Sequence, residues 1–439
     1  MFVFIDNIVV NHNTNIILFY LYYFIWLYKK LIKIIIIDTN KAMMDITKMS
    51  KNDLLEKCKE LGITMCSSKN KQQLLELINV KQKIPECDEI NTTTILTPFT
   101  PFTQHTSFTS FTQQSPATFI EVCAGCGGLS SGLIKSGFTP ILLNDNNSDC
   151  CKTLKHNHQD ANVVCASMDK IDYSQFIDKV DLLTGGVPCQ SFSQAGLRKG
   201  LDDPRGDLMI KFIEILNLIK PKLFMIENVK GLLTHDEGKT IDKIIRTLNK
   251  NDLYNISYKC LDASKYDVPQ KRERVFIVGV IKSISRSFEF PKESEKKIVL
   301  RDVLLDVPLS SGAKYNEEKI KLFRMIPQGG CWVNLPETLQ KEYLGNSYNS
   351  GGGKRGILYR LSMEKPSLTL LCTPSQKQTE RCHPLEERPL TMREYARIQT
   401  FEDSYEFIGS LSSQYKQIGN AVPVELARHM GVSLLKLLR

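Results

Sequence analysis

The 439-residue chain carries 57 lysines and arginines against 48 acidic residues, a net charge of +9, with 42% apolar and 24% charged residues. That length and balance exclude a small disulfide-stapled domain, a collagen-like repeat and a wholly disordered chain, and leave room for two or three folded domains. The modest positive excess suits a polyanionic partner but equally an ordinary globular protein, so charge alone selects no function. The 13 cysteines are odd in number and scattered, which reads as reduced thiols in an intracellular protein rather than a disulfide framework.

Residues 1–48 form an N-terminal extension rich in Ile, Asn, Lys, Tyr and Phe, as AT-biased coding sequence would give. Its unbroken apolar run, Ile16 to Tyr28, is shorter than the roughly 20 residues of a membrane span, and no small-residue cleavage site follows it. Membrane anchoring is therefore not expected; a mis-assigned start or dispensable tail is, with Met43, Met44 and Met49 as later starts. Over 49–80, Leu54, Leu55, Cys58 and Leu61 recur at helical spacing, Gly62 stops that helix, and Ser68 can cap a second one carrying Leu74, Leu75, Leu77 and Ile78. Two short helices with lysines at their joint resemble the SAP hairpin that binds DNA; a helical hairpin that docks on protein fits the same pattern. The Thr-, Phe- and Pro-rich stretch 81–117 keeps no period and reads as a flexible linker.

From Thr118 onward, strand-like runs (Phe119 to Val122, Ile141 to Leu143, Val163 to Cys165, Val180 to Leu183, Leu223 to Ile226, Arg274 to Val280) alternate with helical ones such as Leu208 to Ile219 and Lys239 to Asn249. This predicts an α/β, Rossmann-like doubly wound sheet. After Pro291 the pattern becomes irregular and rich in Gly and Pro. The expected division is a catalytic lobe over 118–284, completed by 412–439, and a smaller irregular lobe over 285–411.

The chemistry concentrates at the predicted strand ends. Phe119 to Leu129 (FIEVCAGCGGL) runs from an apolar strand into a glycine-rich turn that opens a helix, a place for a nucleotide-like ligand at a helix N-terminus. Its Cys123 and Cys126 make a CxxC without a second such pair, so no metal is expected. Asp145, after the next strand, could hold ribose hydroxyls, which suits NAD as well as S-adenosyl-L-methionine. A further strand ends in Gly185 and Gly186, and Pro188 fixes the backbone before Cys189, at the sheet edge where open α/β folds bind ligands. The adjacent strand ends in Glu227, Asn228 and Val229, bringing a carboxyl toward the thiol. Gln270 to Arg274 (QKRER) then sets Arg272 and Arg274 on alternate residues, hence on one face.

In this order, the glycine loop, Pro188-Cys189-Gln190, Glu227-Asn228-Val229, Gln270 to Arg274, Arg388 to Gln399 (RPLTMREYARIQ) and Gly419 to Pro423 (GNAVP) resemble the motifs of the DNA cytosine-5 methyltransferases of restriction-modification type. The resemblance covers most of the chain after the linker. It implies transfer of a methyl group from S-adenosyl-L-methionine to C5 of a flipped-out cytosine in double-stranded DNA, the smaller lobe recognising the target. It assigns catalysis to Cys189, Glu227 and Arg274, with Arg272 on a neighbouring phosphate or carboxylate. Cofactor contacts fall to Phe119, Gly125, Gly127, Asp145, Ser167, Pro188, Leu208, Asn420 and Val422, and substrate contacts to Gln190, Ser191, Ser193 and Asn228. Cys123 stands where an aromatic is commonest and Ser167 where an acid is usual, which implies rearranged cofactor contacts. A monomer without metal is expected, acting intracellularly in a bacterium or an infected host cell. A cognate endonuclease, an orphan role and viral genome protection are all open. Two other readings of the same motifs are a tRNA cytosine-5 methyltransferase, whose Cys-Phe-Thr signature is absent, and a catalytically silent DNA-binding homologue.

Overall fold

Strand β1 (Thr118–Val122) is fully buried except at its first residue, and it lies inside a seven-stranded sheet of order β3-β2-β1-β4-β5-β8-β6. The computed structural model describes residues 50, 52–54, 71, 74, 116–188, 207–349, 356–377 and 380–439. The chain divides into two compact units, Met1–Thr109 and Ser110–Arg439. In the first, Ser50 and Asp53 cap each other reciprocally at 2.9 and 3.3 Å ahead of a helical turn, and Leu54 and Leu74 are completely buried. The rest of the predicted hairpin, the extension and nearly all of the linker lie outside the described residues.

In the second unit, helix α1 (Gly128–Ser136) follows β1, then β2 (Thr139–Asp145), α2 (Ser148–Asn157), β3 (Val163–Cys165), β4 (Leu182–Gly185), α3 (Asp207–Ile219), β5 (Leu223–Val229), α4 (Lys239–Leu248), β6 (Tyr254–Asp262), β7 (Gln270–Lys271) and β8 (Glu273–Ile281). Strands β3, β2, β1, β4 and β5 pair in parallel, whereas β8 runs antiparallel to both β5 and β6. One sheet face packs Phe119, Leu143, Met225 and Val278 against α1 and the C-terminal helix. The other packs Ile120, Leu183, Phe224 and Ile277 against α3 and α4, through Phe212, Leu216, Ile241 and Ile244. Alternate residues of each central strand thus enter opposite cores, the near-continuous apolar runs of a sheet covered on both faces. The predicted fold class holds.

Strand β6 was not anticipated. It is an edge strand whose residues are mostly half-buried or exposed, with Asn255, Lys259 and Asp262 interrupting the apolar positions. Its place comes from nine backbone pairings to β8 rather than from burial.

Beyond β8 the elements are short: α5 (Arg301–Leu304), α6 (Glu317–Arg324), α7 (Glu337–Leu344), β9 (Ser367–Leu368, paired in parallel with β7) and α8 (Met392–Ile398). Helices α9 (Leu411–Asn420) and α10 (Val424–Leu438) close the chain, and Met430 and Leu434 of α10 enter the core beside Leu133 of α1. Helix α10 thus packs in the core of one sheet face, while Tyr415 and Ile418 of α9 pack with Tyr395 and Phe401. Strand order reverses between β1 and β4, whose last residues, Val122 and Gly185, are paired. That reversal puts the glycine loop and the Pro188 loop side by side at the carboxyl edge.

Candidate active site

The glycine loop needs backbone conformations that few side chains tolerate. Cys123, Gly125 and Gly127 have φ of 51°, 56° and 87°, and Gly127 is the N-cap of α1. A Cβ at Gly128 would collide with the carbonyl oxygen of Val422, so this glycine lets the Gly419 to Pro423 segment approach the loop directly. Asp145 at the end of β2 accepts from the Gly125 N–H at 2.8 Å and from the Asn147 N–H at 2.8 Å. The carboxylate therefore shapes the loop while keeping lone pairs for a ligand. A Cβ at Gly125 would meet nothing within 4 Å, which leaves open space before the loop. Loop, helix N-terminus and carboxylate together fit an adenosine-type ligand.

The second half of the site is built from β4, β5 and β8. Asn228 donates to the Val187 carbonyl at 2.8 Å, and a Cβ on Gly186 would stand 3.4 Å from Glu227 Oε2. The Gly186 to Pro188 segment is thus held against the end of β5. Glu227 is only 8% exposed and its Oε1 lies 2.9 Å from Nε of Arg274, which β8 presents across the strand pair. Burial pushes the Glu227 carboxyl up, and the Arg274 and Arg272 guanidiniums pull it part of the way back. A carboxyl in this position can carry a proton at a pH where an exposed one has lost it.

Sequence reasoning brought Glu227, Arg274, Asp145, Gly125, Gly127 and Pro188 to one edge, and the structure puts them there. Leu208 lies at the start of α3 and Ser167 follows β3. The Ser167 hydroxyl donates to Asp169, a carboxylate two residues past the position where an acid was expected. Cys189, Gln190, Ser191 and Ser193 lie outside the described residues.

Two expectations need correction. Phe119 does not face the cofactor loop: it is fully buried, edge-on to Phe138 at 6.3 Å, and four residues of extended strand, roughly 13 Å, separate it from Cys123. Of the two partners expected for Arg272, a phosphate is out of reach, because the side chain is 1% exposed and donates to the carbonyls of Leu370 at 3.4 Å and Asn420 at 3.3 Å, whereas a carboxylate, Glu227, does feel its charge. Burial pulls its guanidinium down to about 9. It ties β7–β8 to the C-terminal segment. Asn228, at 6% exposure, donates to the Val187 carbonyl and so helps to position the loop.

Other residues were missed. Glu121 sits completely buried in β1, accepts from Ser130, and is pushed up to about 8 by burial, with the charges of Asp145 and Glu227 adding to the rise. An acid inside an otherwise apolar strand was the available signal. Gln270 and Gln399, both fully buried, are bonded at 2.9 Å; Gln270 accepts from Leu370 N–H, and Gln399 donates to the carbonyls of Ile418 and Ala421. This amide chain couples the arginine strand to the segment carrying Asn420. Among the described residues, no group of three or more His, Cys, Asp or Glu side chains is arranged to hold a metal ion.

The sequence profile of the C-5 cytosine-specific DNA methylase family matches residues 117–436. The chain belongs to that family. The methylase is 46% identical over 335 residues to the Type II methyltransferase M.Eco47II of Escherichia coli, covering 73% of this chain and 79% of that protein. To the Type II methyltransferase M.Sau96I of Staphylococcus aureus it is 44% identical over 322 residues, covering 72% and 75%. Among solved structures, a putative DNA modification methyltransferase from an E. coli prophage shares the fold with a TM-score of 0.56 at 23% identity, over 73% of this chain and 99% of that one. Entamoeba histolytica methyltransferase EhMeth does so with a TM-score of 0.55 at 18% identity, over 74% and 100%. The methylase is an enzyme that methylates cytosine in DNA at C5. No helix among its described residues is long and apolar enough to cross a membrane.

Proposed function

We propose that the methylase uses S-adenosyl-L-methionine as donor and methylates a cytosine flipped out of double-stranded DNA, with Cys189 as nucleophile, Glu227 as acid and Arg274 as anion holder. The observation that carries this reading is the buried Glu227 carboxyl, held between Arg274 and the loop backbone that leads through Pro188 to Cys189. Cytosine C5 is a weak nucleophile. Addition of the Cys189 thiolate at C6 turns the ring into an enamine with electron density at C5. Glu227, protonated, donates to N3 and accepts from the N4 amino group, which selects cytosine over thymine. Arg274 faces the O2 edge and stabilises the developing negative charge. When bound, S-adenosyl-L-methionine supplies a methyl group on a positive sulfur, and C5 takes it. Loss of the C5 proton then lets Cys189 leave.

Cofactor contacts are assigned to Gly125, Gly127, Asp145, Ser167, Pro188, Leu208, Asn420 and Val422, with Asp169 supplying the carboxylate that Ser167 lacks. Gln190, Ser191 and Ser193 are assigned to the substrate side. We assign 118–284 with 412–439 to the catalytic lobe and 285–411 to target recognition. The relatives' Type II names support a restriction-modification role; a cognate endonuclease and a monomeric methylase are our further proposals. Bisulfite sequencing of DNA from cells expressing the protein, beside tRNA from the same cells, tests the substrate. Protected cytosines in one short DNA sequence context are expected; protection confined to tRNA would overturn the reading.

A cleft of about 230 Å³ lined by Lys271, Lys297 and Lys365 with Tyr359 and Ser362 contains no acidic side chain. Lys271 directly precedes Arg272, so the cleft lies beside the catalytic strand and suits the DNA backbone. Changing Lys271 and Lys365 to glutamine should weaken binding of all DNA sequences alike. It should also flatten the dependence of log K on log salt by about 1 for each phosphate that is no longer neutralised. An unchanged slope in a binding titration would remove the cleft from the DNA path.

A further inference from the structure

Cys126 lies between the two left-handed glycines of the cofactor loop, and its carbonyl oxygen accepts a 2.6 Å hydrogen bond from the hydroxyl of Tyr405, 279 residues away in sequence. The same residue's thiol donates to the Gln417 carbonyl at 3.3 Å. A Cβ on Gly127 would stand 2.6 Å from the Tyr405 oxygen, so the hydroxyl touches the loop at the cap of α1. Behind it lies a cavity of about 390 Å³ lined by Ser131, Lys135, His156, His158, Tyr405 and Val424. The loop itself is packed there: Cys126 is buried, and the space beside Gly127 is closed by Leu154 and His158 as well as by Tyr405. Beside these packing contacts and the thiol's bond to Gln417, the tyrosine hydroxyl is the side-chain donor that fixes the direction of the Cys126 carbonyl.

Tyr405 is itself firmly placed. Arg393 donates to the carbonyls of Tyr405 at 2.9 Å and Glu402 at 3.0 Å, and Asn157 at the end of α2 exchanges two hydrogen bonds with the backbone of Glu406, at 2.7 and 2.9 Å. Phe401 and Phe407 pack on its ring with centroids at 4.8 and 5.3 Å. His158 Nε2 lies 3.2 Å from the hydroxyl, and burial pulls this imidazole down to about 4, so it is neutral in the physiological range. With its proton on Nε2 it donates to the tyrosine oxygen and leaves the tyrosine proton for Cys126.

We infer that Tyr405 is a positioning residue for the cofactor: its hydroxyl fixes the Cys126 carbonyl so that the glycine loop and the first N–H groups of α1 hold the shape that S-adenosyl-L-methionine requires. The inference rests on the cofactor reading under Proposed function. The test is Tyr405→Phe in the full chain, which removes one oxygen and keeps the ring packing. Calorimetric Kd and KM for S-adenosyl-L-methionine should rise about tenfold, the size of one lost buried hydrogen bond. At saturating cofactor kcat should change by less than about twofold, because this interaction does not strengthen in the transition state. KM for DNA should stay put, the melting temperature should fall by no more than about 4 °C, and amide exchange over 124–129 should quicken. An unchanged cofactor Kd would overturn the inference, as would a parallel loss in kcat, both KM values and melting temperature. If Tyr405→Phe does not fold, His158→Phe carries the same test, with a rise in cofactor Kd of about threefold expected and no rise overturning it. Wild-type protein that binds no S-adenosyl-L-methionine would sink the cofactor reading itself; wild-type and Tyr405→Phe proteins binding it equally well would sink only the role of Tyr405.

Discussion

Changing Cys189 to serine is expected to lower methylation by at least about a thousandfold while leaving the Kd for S-adenosyl-L-methionine within about twofold. A serine hydroxyl is a far poorer nucleophile than a thiolate at neutral pH, and the Glu227 carboxyl, already bonded to Arg274, is poorly suited to remove its proton. The proposed cofactor contacts, Pro188 apart, come from other parts of the chain, namely the loop after β1, Asp145, Ser167, Leu208 and the Asn420 segment. A filter assay with tritiated methyl donor reads the first quantity and calorimetry the second. Loss of cofactor binding in the serine variant would mean that this cysteine belongs to a different pocket.

Glu227→Gln should reduce kcat by about a hundredfold to a thousandfold, the usual contribution of a positioned general acid. The amide keeps the shape and can still donate to N3, but it has no proton to transfer. The pH profile separates this from a packing defect. Because burial raises the folded-state pKa of Glu227, the protonated acid is present below that raised value and is lost as pH climbs through it. Wild-type kcat should therefore decline on the alkaline side. The glutamine variant, neutral at every pH, should lack that decline and keep only the acid-side rise from thiol deprotonation. An alkaline limb that persists unchanged in the variant would assign it to some other group.

Much of the central site was legible because it is local. Asp145 and Glu227 lie at or near the ends of strands and Arg274 near the start of another, each with an apolar run plain in the sequence; parallel pairing through β5 and antiparallel pairing of β8 then align them at one edge. Errors arose where side-chain direction or distant sequence decides. Phe119 belongs to the glycine-loop strand, but its place near the strand's start puts its ring into the core against Phe138. The two-residue period predicted one face for Arg272 and Arg274, and both pull on the Glu227 carboxyl, yet Leu370 and Asn420 cover one and not the other. Those two carbonyls come from segments 98 and 148 residues later, and no local pattern announces them. The Tyr405 contact to the loop and the Gln270–Gln399 chain are hidden for the same reason. Strand β6 escaped because an edge strand needs only one partner and little burial.

Covalent capture on DNA carrying 5-fluorocytosine at the target site tests the mechanism most directly. Fluorine at C5 cannot leave as a proton does, so once the methyl group has been transferred the enzyme should remain joined to C6. A denaturing gel is predicted to show a shifted protein–DNA band only when S-adenosyl-L-methionine is added, and mass spectrometry should place the base on the peptide containing Cys189. A stable adduct on another residue, or no adduct from protein that methylates ordinary DNA, would contradict the account.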